Sequence, residues 1–141
     1  MCQADRRGIR SLGPASAFAL VIASAQIFST AAHATPGPFD RQQAEAGHVI
    51  YNDHCAECHG PELAGALGAS LIDPAFKARW GGRPVSDLRD WIYSNMPPNA
   101  PGTLPDAQLD PILAWVLMKN GVAPGPTPLS KANAGAVFPK E

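Results

Sequence analysis

Three side chains with the potential for chemistry lie within five residues, in the run Cys55-Ala56-Glu57-Cys58-His59. Two cysteines one helical turn apart can each form a thioether with a vinyl group of a haem, and the histidine that follows can bind the iron. The C-x-x-C-H pattern is the signature of this covalent, c-type attachment. The sequence therefore predicts one haem c, bound through Cys55 and Cys58, with His59 as an axial ligand.

The iron then needs a second axial ligand or an open site, and four more side chains are candidates: Met96, Met118, His48 and His54. Met118 lies in a predicted helix, where a methionine most often packs in the core. Both histidines lie too near His59 in sequence to reach the opposite face of the haem. Met96 precedes two prolines and so ends its helix, on a loop that can cross that face. We therefore predict Met96 as the second ligand.

A haem iron with histidine and methionine ligands has no position left for a substrate. The methionine sulfur donates weakly to ferric iron, so this ligand pair raises the reduction potential. The predicted activity is therefore the transfer of single electrons to and from partner proteins, without contact between substrate and iron.

The first 34 residues have the pattern of an export signal. Three arginines precede an uncharged, mostly small or apolar run from Leu12 to Phe28, and Ala32-His33-Ala34 resembles a cleavage site. Cleavage after Ala34 predicts a periplasmic protein with no stable membrane insertion. An uncleaved anchor helix is the alternative, for which the apolar run is slightly short.

The remaining 107 residues contain two cysteines, both in the haem motif, and their eight basic and eleven acidic residues give a net charge of about −3. They show no basic patch, which argues against a nucleic-acid partner. A disulfide is the ordinary expectation for two cysteines in an exported protein, but it leaves the adjacent histidine unexplained. A zinc site would need a second cysteine pair, and a thioredoxin-like module would need a βαβ pattern.

The spacing of apolar residues predicts an all-α fold. Residues 35–121 form the expected cytochrome domain, and residues 122–141 form a Pro- and Gly-rich tail, packed on the domain or trailing from it. We expect a helix over 41–52 with Asp40 near its N-cap, and a single helical turn over 74–80. A further helix is expected to have Ser86 as its N-cap and to end near Met96, and the last helix to have Gly121 as its C-cap signal. Because proline disfavours a helix interior, we expect an irregular turn from Asp106 and regular helix from Pro111.

The haem motif, the run Asn95-Met96-Pro97-Pro98 and the terminal helix together resemble a class I cytochrome c. The run from Met96 to Gly102 and the tail from Asn120 to Leu129 are similar to the cytochrome domains of periplasmic quinoprotein alcohol dehydrogenases. The resemblance covers essentially the whole chain after the export signal. It implies a small fold in which three to five helices wrap around one covalent haem.

The resemblance also implies roles for residues around the haem. Trp80 is similar to a tryptophan that reaches a haem propionate, and Leu71 and Pro97 are further expected haem contacts. The family usually has a proline whose carbonyl accepts the ring N–H of the proximal histidine. In this chain Ala69 stands at that position, and its carbonyl can serve His59 equally well.

One glycine in the first predicted helix also has a counterpart in the family. Glycine destabilises a helix interior unless another group must approach closely. The family pairs a glycine of the first helix with an aromatic residue of the last, and Gly47 and Trp115 fit that pair.

The leading functional hypothesis is a periplasmic monohaem electron carrier whose redox partner is a dehydrogenase, an oxidase or another cytochrome. Alternatives are a cytochrome subunit of a larger oxidoreductase, such as a quinoprotein dehydrogenase, and a haem-based gas sensor. Independent catalysis is disfavoured, because the chain has one haem motif and no catalytic constellation. The protein is expected to be a monomer or a subunit of a complex.

The surface around the haem edge is expected to carry little charge. The four lysines are scattered along the chain rather than clustered, at positions 77, 119, 131 and 140. Small and apolar residues are expected to ring the exposed edge instead, namely Leu63, Ala64, Ala66 and residues 97–101.

Overall fold

The computed structural model describes residues 35–140, and the expected export signal lies outside the described residues. The described part contains five helices: α1 (Arg41–His54), α2 (Ala56–His59), α3 (Pro74–Trp80), α4 (Val85–Asn95) and α5 (Asp106–Lys119). Residues 35–140 contain no β-strand, only an isolated bridge between Pro84 and Val137. The predicted all-α fold is confirmed. No helix of this part is long and apolar enough to cross a membrane.

The α1 and α5 helices pack against each other more extensively than any other pair of helices in the described part. They approach closely at Gly47, where an added Cβ would overlap the backbone carbonyl of Pro111. The expected close approach at Gly47 is therefore present, but its nearest neighbour is the Pro111 backbone. Trp115 instead stacks on His48, with ring centroids 4.1 Å apart.

The α5 helix is regular from its first residue, so the irregular turn expected before Pro111 is wrong. Proline at this position removes one helical hydrogen bond. Ion pairs offset the loss, because Arg89 of α4 binds Asp110 at 2.6 Å and Asp106 at 2.7 Å. Burial alone would lower the pKa of Arg89, but these hydrogen bonds raise it above its ordinary value. The two carboxylates, one helical turn apart, thereby hold the start of α5 against α4.

The α4 helix begins at Val85, so the predicted cap at Ser86 is wrong. The Val85 N–H donates to the carbonyl of Ala136, and the Ser86 N–H donates to the carbonyl of Ala134. Backbone carbonyls of the tail thus satisfy donors that a side-chain cap would otherwise serve. The tail packs on the helices and buries Phe138 in the core.

Two other predicted helix ends are confirmed. The Asp40 carboxylate accepts a hydrogen bond from the Gln43 N–H at the start of α1. Gly121 follows α5 with φ +86°, and the Val122 N–H donates to the carbonyl of Leu117. This is the Schellman arrangement in which glycine ends a helix.

Candidate haem site

A cavity of about 670 Å³ opens between the helices. Its volume lies within the range of about 300–1,000 Å³ that is typical of ligand and cofactor pockets. Apolar side chains from several elements line it, including Leu88 of α4 and Val116 of α5. Every site residue predicted from the sequence also lines it: Cys55, Cys58, His59, Ala69, Leu71, Trp80, Met96 and Pro97.

The two cysteines reach the cavity because the chain passes from α1, which ends at His54, to α2, which begins at Ala56, with Cys55 between them. The Cys55 N–H donates to the carbonyl of Tyr51, and the His59 N–H donates to the carbonyl of Cys55. Both thiols are free and half-buried. Burial and the neighbouring Cys58 raise the pKa of the Cys55 thiol to about 11, so little thiolate forms at neutral pH. This environment does not favour thiol–disulfide chemistry.

The His59 ring is held by the loop that follows it. Its Nδ1 lies 2.7 Å from the carbonyl oxygen of Ala69. A carbonyl can only accept, so Nδ1 carries the proton and Nε2 keeps a free lone pair for a metal. Gly68 allows this approach, since a Cβ there would lie 3.0 Å from Cε1 of His59. The carbonyl contact that the resemblance implied is thus present.

Residues 55–72, called here the cysteine segment, are tied to the rest of the domain by two side chains that sequence reasoning missed. The Tyr51 hydroxyl donates to the carbonyl of Gly60 at 2.8 Å. The Asn120 amide donates to the carbonyl of Leu71 at 2.8 Å. A tyrosine one turn before the haem motif was the available signal for the first contact, whereas no local pattern indicates the second.

Met96 reaches the cavity from a later part of the chain, directly after α4. It lies just past the end of α4 in an extended conformation, and its N–H donates to the carbonyl of Ile92. It begins residues 96–104, called here the methionine loop. Of the other ligand candidates, His54 also lines the cavity, beside Cys55 at the end of α1. Met118 packs against the core instead.

The donor groups at the cavity fit a covalently bound haem. Two thiols lie three residues apart in sequence, an imidazole presents a free Nε2, and a methionine sulfur comes from a separate element. The walls between them are mainly apolar, which suits a flat macrocycle.

Comparison with known proteins agrees with this chemistry. The profile of the family described as "Cytochrome C oxidase, cbb3-type, subunit III" matches residues 42–116, more than half of the chain. The chain belongs to this family of c-type cytochromes. No curated protein matches the cytochrome.

One solved structure is similar to the cytochrome, "Crystal Structure of the Sulfane Dehydrogenase SoxCD from Paracoccus pantotrophus". The two chains are 23% identical, with a TM-score of 0.49. The match covers 75% of the cytochrome and 56% of the other chain.

Trp80 of the cytochrome is buried and lines the cavity. Its ring meets that of Trp91 edge to face, with centroids 5.9 Å apart. Sequence reasoning missed Arg79, whose guanidinium carbon lies 4.9 Å from the centroid of each of these rings. The signal that could have indicated it is its position directly before an expected haem-contact tryptophan.

The exposed rim of the cavity differs in part from the expectation. Leu63 is fully buried in the core rather than at the rim. Leu67, four residues later, is 85% exposed and lines the cavity, together with the exposed Pro98 and Asn99. The rim is thus uncharged at these positions.

Proposed function

We propose that this cytochrome is a periplasmic monohaem protein that carries single electrons between a dehydrogenase and the respiratory chain. The proposal depends on one observation, the meeting of Cys55, Cys58 and His59 with Met96 at a single apolar cavity. Family membership supports haem c as the cofactor class. The single C-x-x-C-H motif supports one haem per chain.

Each residue at the cavity has a separate part in this function. Cys55 and Cys58 would hold the haem through thioethers, and His59 Nε2 and the Met96 sulfur would be its axial ligands. A haem held in this way supplies reversible one-electron chemistry at its iron. The carbonyl of Ala69 orients the imidazole and increases its basicity.

The same arrangement disfavours catalysis at the iron. With His59 and Met96 both bound to the iron, no position would remain for a substrate to bind the metal directly. Apolar walls such as Leu71 and Ile112 would pack against the haem and leave little room for water around it. The chain is therefore proposed to be a carrier rather than an enzyme.

A second candidate is a cytochrome subunit of a multi-subunit oxidoreductase. The description of the matched family, an oxidase subunit, favours this assignment. Purification of the native protein from the membranes and periplasm of its source cells distinguishes the carrier from the subunit. A free carrier elutes as a small monomer, whereas a subunit elutes with a stoichiometric oxidoreductase.

The primary test uses the full chain expressed together with a c-type haem maturation system. We expect the denatured polypeptide to keep its haem, at one haem per chain, and to titrate as a single one-electron couple. Extraction of all haem by acidified solvent would contradict the attachment. Binding of carbon monoxide by the reduced native protein would indicate an open iron site and favour a gas sensor.

The location is tested separately by cell fractionation and by mass spectrometry of the purified protein. A periplasmic protein that begins at Thr35 supports cleavage of the signal after Ala34. A membrane-bound protein that retains residues 1–34 would show instead that the signal serves as an anchor.

A further inference from the structure

Arg79 packs against two neighbouring tryptophan rings at the cavity. Its guanidinium carbon lies 4.9 Å from the ring centroid of Trp80 and 4.9 Å from that of Trp91. Both distances are within the range of about 6 Å for cation–π attraction. The planar guanidinium group of arginine stacks readily on aromatic rings. The two rings thereby restrict the side chain while its N–H edge stays available.

The charge of Arg79 lacks an acidic partner, unlike the charges of two nearby arginines. Arg83 pairs with Asp87 at 2.8 Å, and Arg89 pairs with carboxylates of α5. Among residues 35–140, no carboxylate lies within ion-pair distance of Arg79. Its five N–H donors are therefore free to bind an anion with planar, forked geometry.

The position of Arg79 indicates what that anion is. Among the described residues that line the cavity, it is the one lysine or arginine. A haem is mainly apolar, but it carries two propionate carboxylates that need hydrogen-bond donors or water. A charge-assisted, forked contact between guanidinium and carboxylate is among the stronger hydrogen-bonding arrangements in proteins.

We propose that Arg79 binds a propionate of the haem, with Trp80 and Trp91 fixing the guanidinium for that contact. This inference rests on the proposed function, because it requires a haem in the cavity. A cation at this place also stabilises the reduced form of the haem, which has one positive charge fewer than the oxidised form. Arg79 therefore both binds the cofactor and raises its reduction potential.

The test compares Arg79→Gln with Arg83→Gln in the haem-loaded, full-length protein. Arg83 is the matched control, because its guanidinium also lies over Trp80, at 5.1 Å, but it pairs with Asp87 and does not line the cavity. We expect Arg79→Gln to lower the potential by up to about 59 mV, equivalent to a tenfold change in a one-electron equilibrium. Arg83→Gln should leave the potential nearly unchanged.

A second readout reports the contact itself. With haem labelled with ¹³C at the propionate carboxyls, infrared difference spectra should show a shifted carboxylate band in Arg79→Gln and the wild-type band in Arg83→Gln. Arg79→Lys should have a reduction potential close to that of the wild type, because the positive charge remains. Its carboxylate band should nevertheless shift, because lysine cannot make the forked contact.

An unchanged carboxylate band in Arg79→Gln would overturn the proposal, as would equal shifts in potential for the Arg79 and Arg83 variants. Haem staining of the same denatured samples separates this result from failure of the proposed function. If all variants keep covalent haem, only the role of Arg79 fails. If the wild type has none, the proposed function fails with it.

Discussion

The cysteine segment and the methionine loop both reach the cavity, but they are held by different means. The cysteine segment is hydrogen-bonded to other elements, by Tyr51 at Gly60 and by Asn120 at Leu71. The methionine loop makes its backbone hydrogen bonds close by in sequence, as between Ala100 and Pro97. Among the described residues, none of its hydrogen bonds reaches an element other than α4.

This difference indicates how each side of the cavity responds to change. A segment that is cross-linked by hydrogen bonds to α1 and α5 opens only with the domain around it, whereas a loop tied to its own helix can open locally at lower cost in free energy. We therefore expect the cysteine segment to be required for folding and haem retention. The methionine loop should determine the spectrum and potential of the haem while leaving the fold intact.

The largest effect is expected in the cysteine segment, for Cys55→Ala combined with Cys58→Ala. Without thioethers the haem would be held only by its ligands and by packing, and it could be lost. The protein would then contain an empty cavity of about 670 Å³, which destabilises the core. We expect little folded protein by circular dichroism and no haem on the denatured chain.

Glu57→Gln is the control for this pair, since Glu57 lies between the two cysteines and is exposed. It should retain covalent haem and the wild-type fold. A stably folded protein with native helix content after loss of both cysteines would show that haem attachment is not required for folding.

The methionine loop should behave in the opposite way in Met96→Ala. We expect the near-infrared band of a sulfur–ferric bond to disappear, while covalent haem and helix content remain. Met96→His should restore a filled site at a lower potential, since axial ligands help to set haem potentials over about 0.8 V.

Met118→Ala is the matched control, because this methionine packs against the core. It should keep the near-infrared band and lose thermal stability instead. Persistence of the band in Met96→Ala would assign the sulfur ligand to another residue. Unfolding of Met96→Ala would contradict the proposed contrast between the two sides of the cavity.

The residues that meet at the cavity and most helices could be predicted because their signals are local. Cys55, Cys58 and His59 belong to a pentapeptide motif, and two consecutive prolines after Met96 favour the end of a helix. Asp40 and Gly121 mark helix ends through the conformations of single residues.

The predictions that were wrong concern contacts between segments that are far apart in sequence. The start of α4 is set by carbonyls of Ala134 and Ala136 in the tail, so the hydroxyl of Ser86 is not needed as a cap. The start of α5 depends on Arg89, which no pattern within α5 reveals. Gly47 was correctly expected to allow a close contact, but its neighbour depends on how the two helices cross.

A smaller effect on the cysteine side is expected for Gly68→Ala. The new Cβ would lie 3.0 Å from Cε1 and 3.1 Å from Nδ1 of His59, so the ring or the loop must shift. We expect a loss of about 1–3 kcal/mol in the free energy of unfolding, as for other crowded sites. A longer bond from Nδ1 to Ala69 makes the imidazole a weaker donor to iron, so the potential should rise slightly.

Gly135→Ala is the control, since nothing lies within 4 Å of a Cβ at that position and its φ is ordinary. Chemical denaturation and potentiometry of the two variants check the prediction. Equal stability and equal potential in Gly68→Ala and Gly135→Ala would show that the loop yields without cost, contrary to the rigidity inferred for the cysteine segment.

The smallest effect concerns the rim of the cavity, which carries few charges: Glu57 and Arg79 are exposed there and have opposite signs. Residues 63–72 and 91–105, which contribute to both sides of the cavity, contain no charged residue. Steering of a partner needs a concentrated field of one sign, and exposed charges are screened beyond about 8 Å at physiological salt. We expect the second-order rate of electron transfer with the native partner to fall less than about tenfold between low and physiological salt.

Two variants sharpen this last measurement. Leu67→Glu places a carboxylate on the exposed rim and should create a salt dependence, because Leu67 lines the cavity and is 85% exposed. Lys131→Glu changes a charge that pairs with Asp106, outside the cavity lining, and should not alter the salt dependence. A tenfold or larger fall in rate for the wild type would show that charge steers docking.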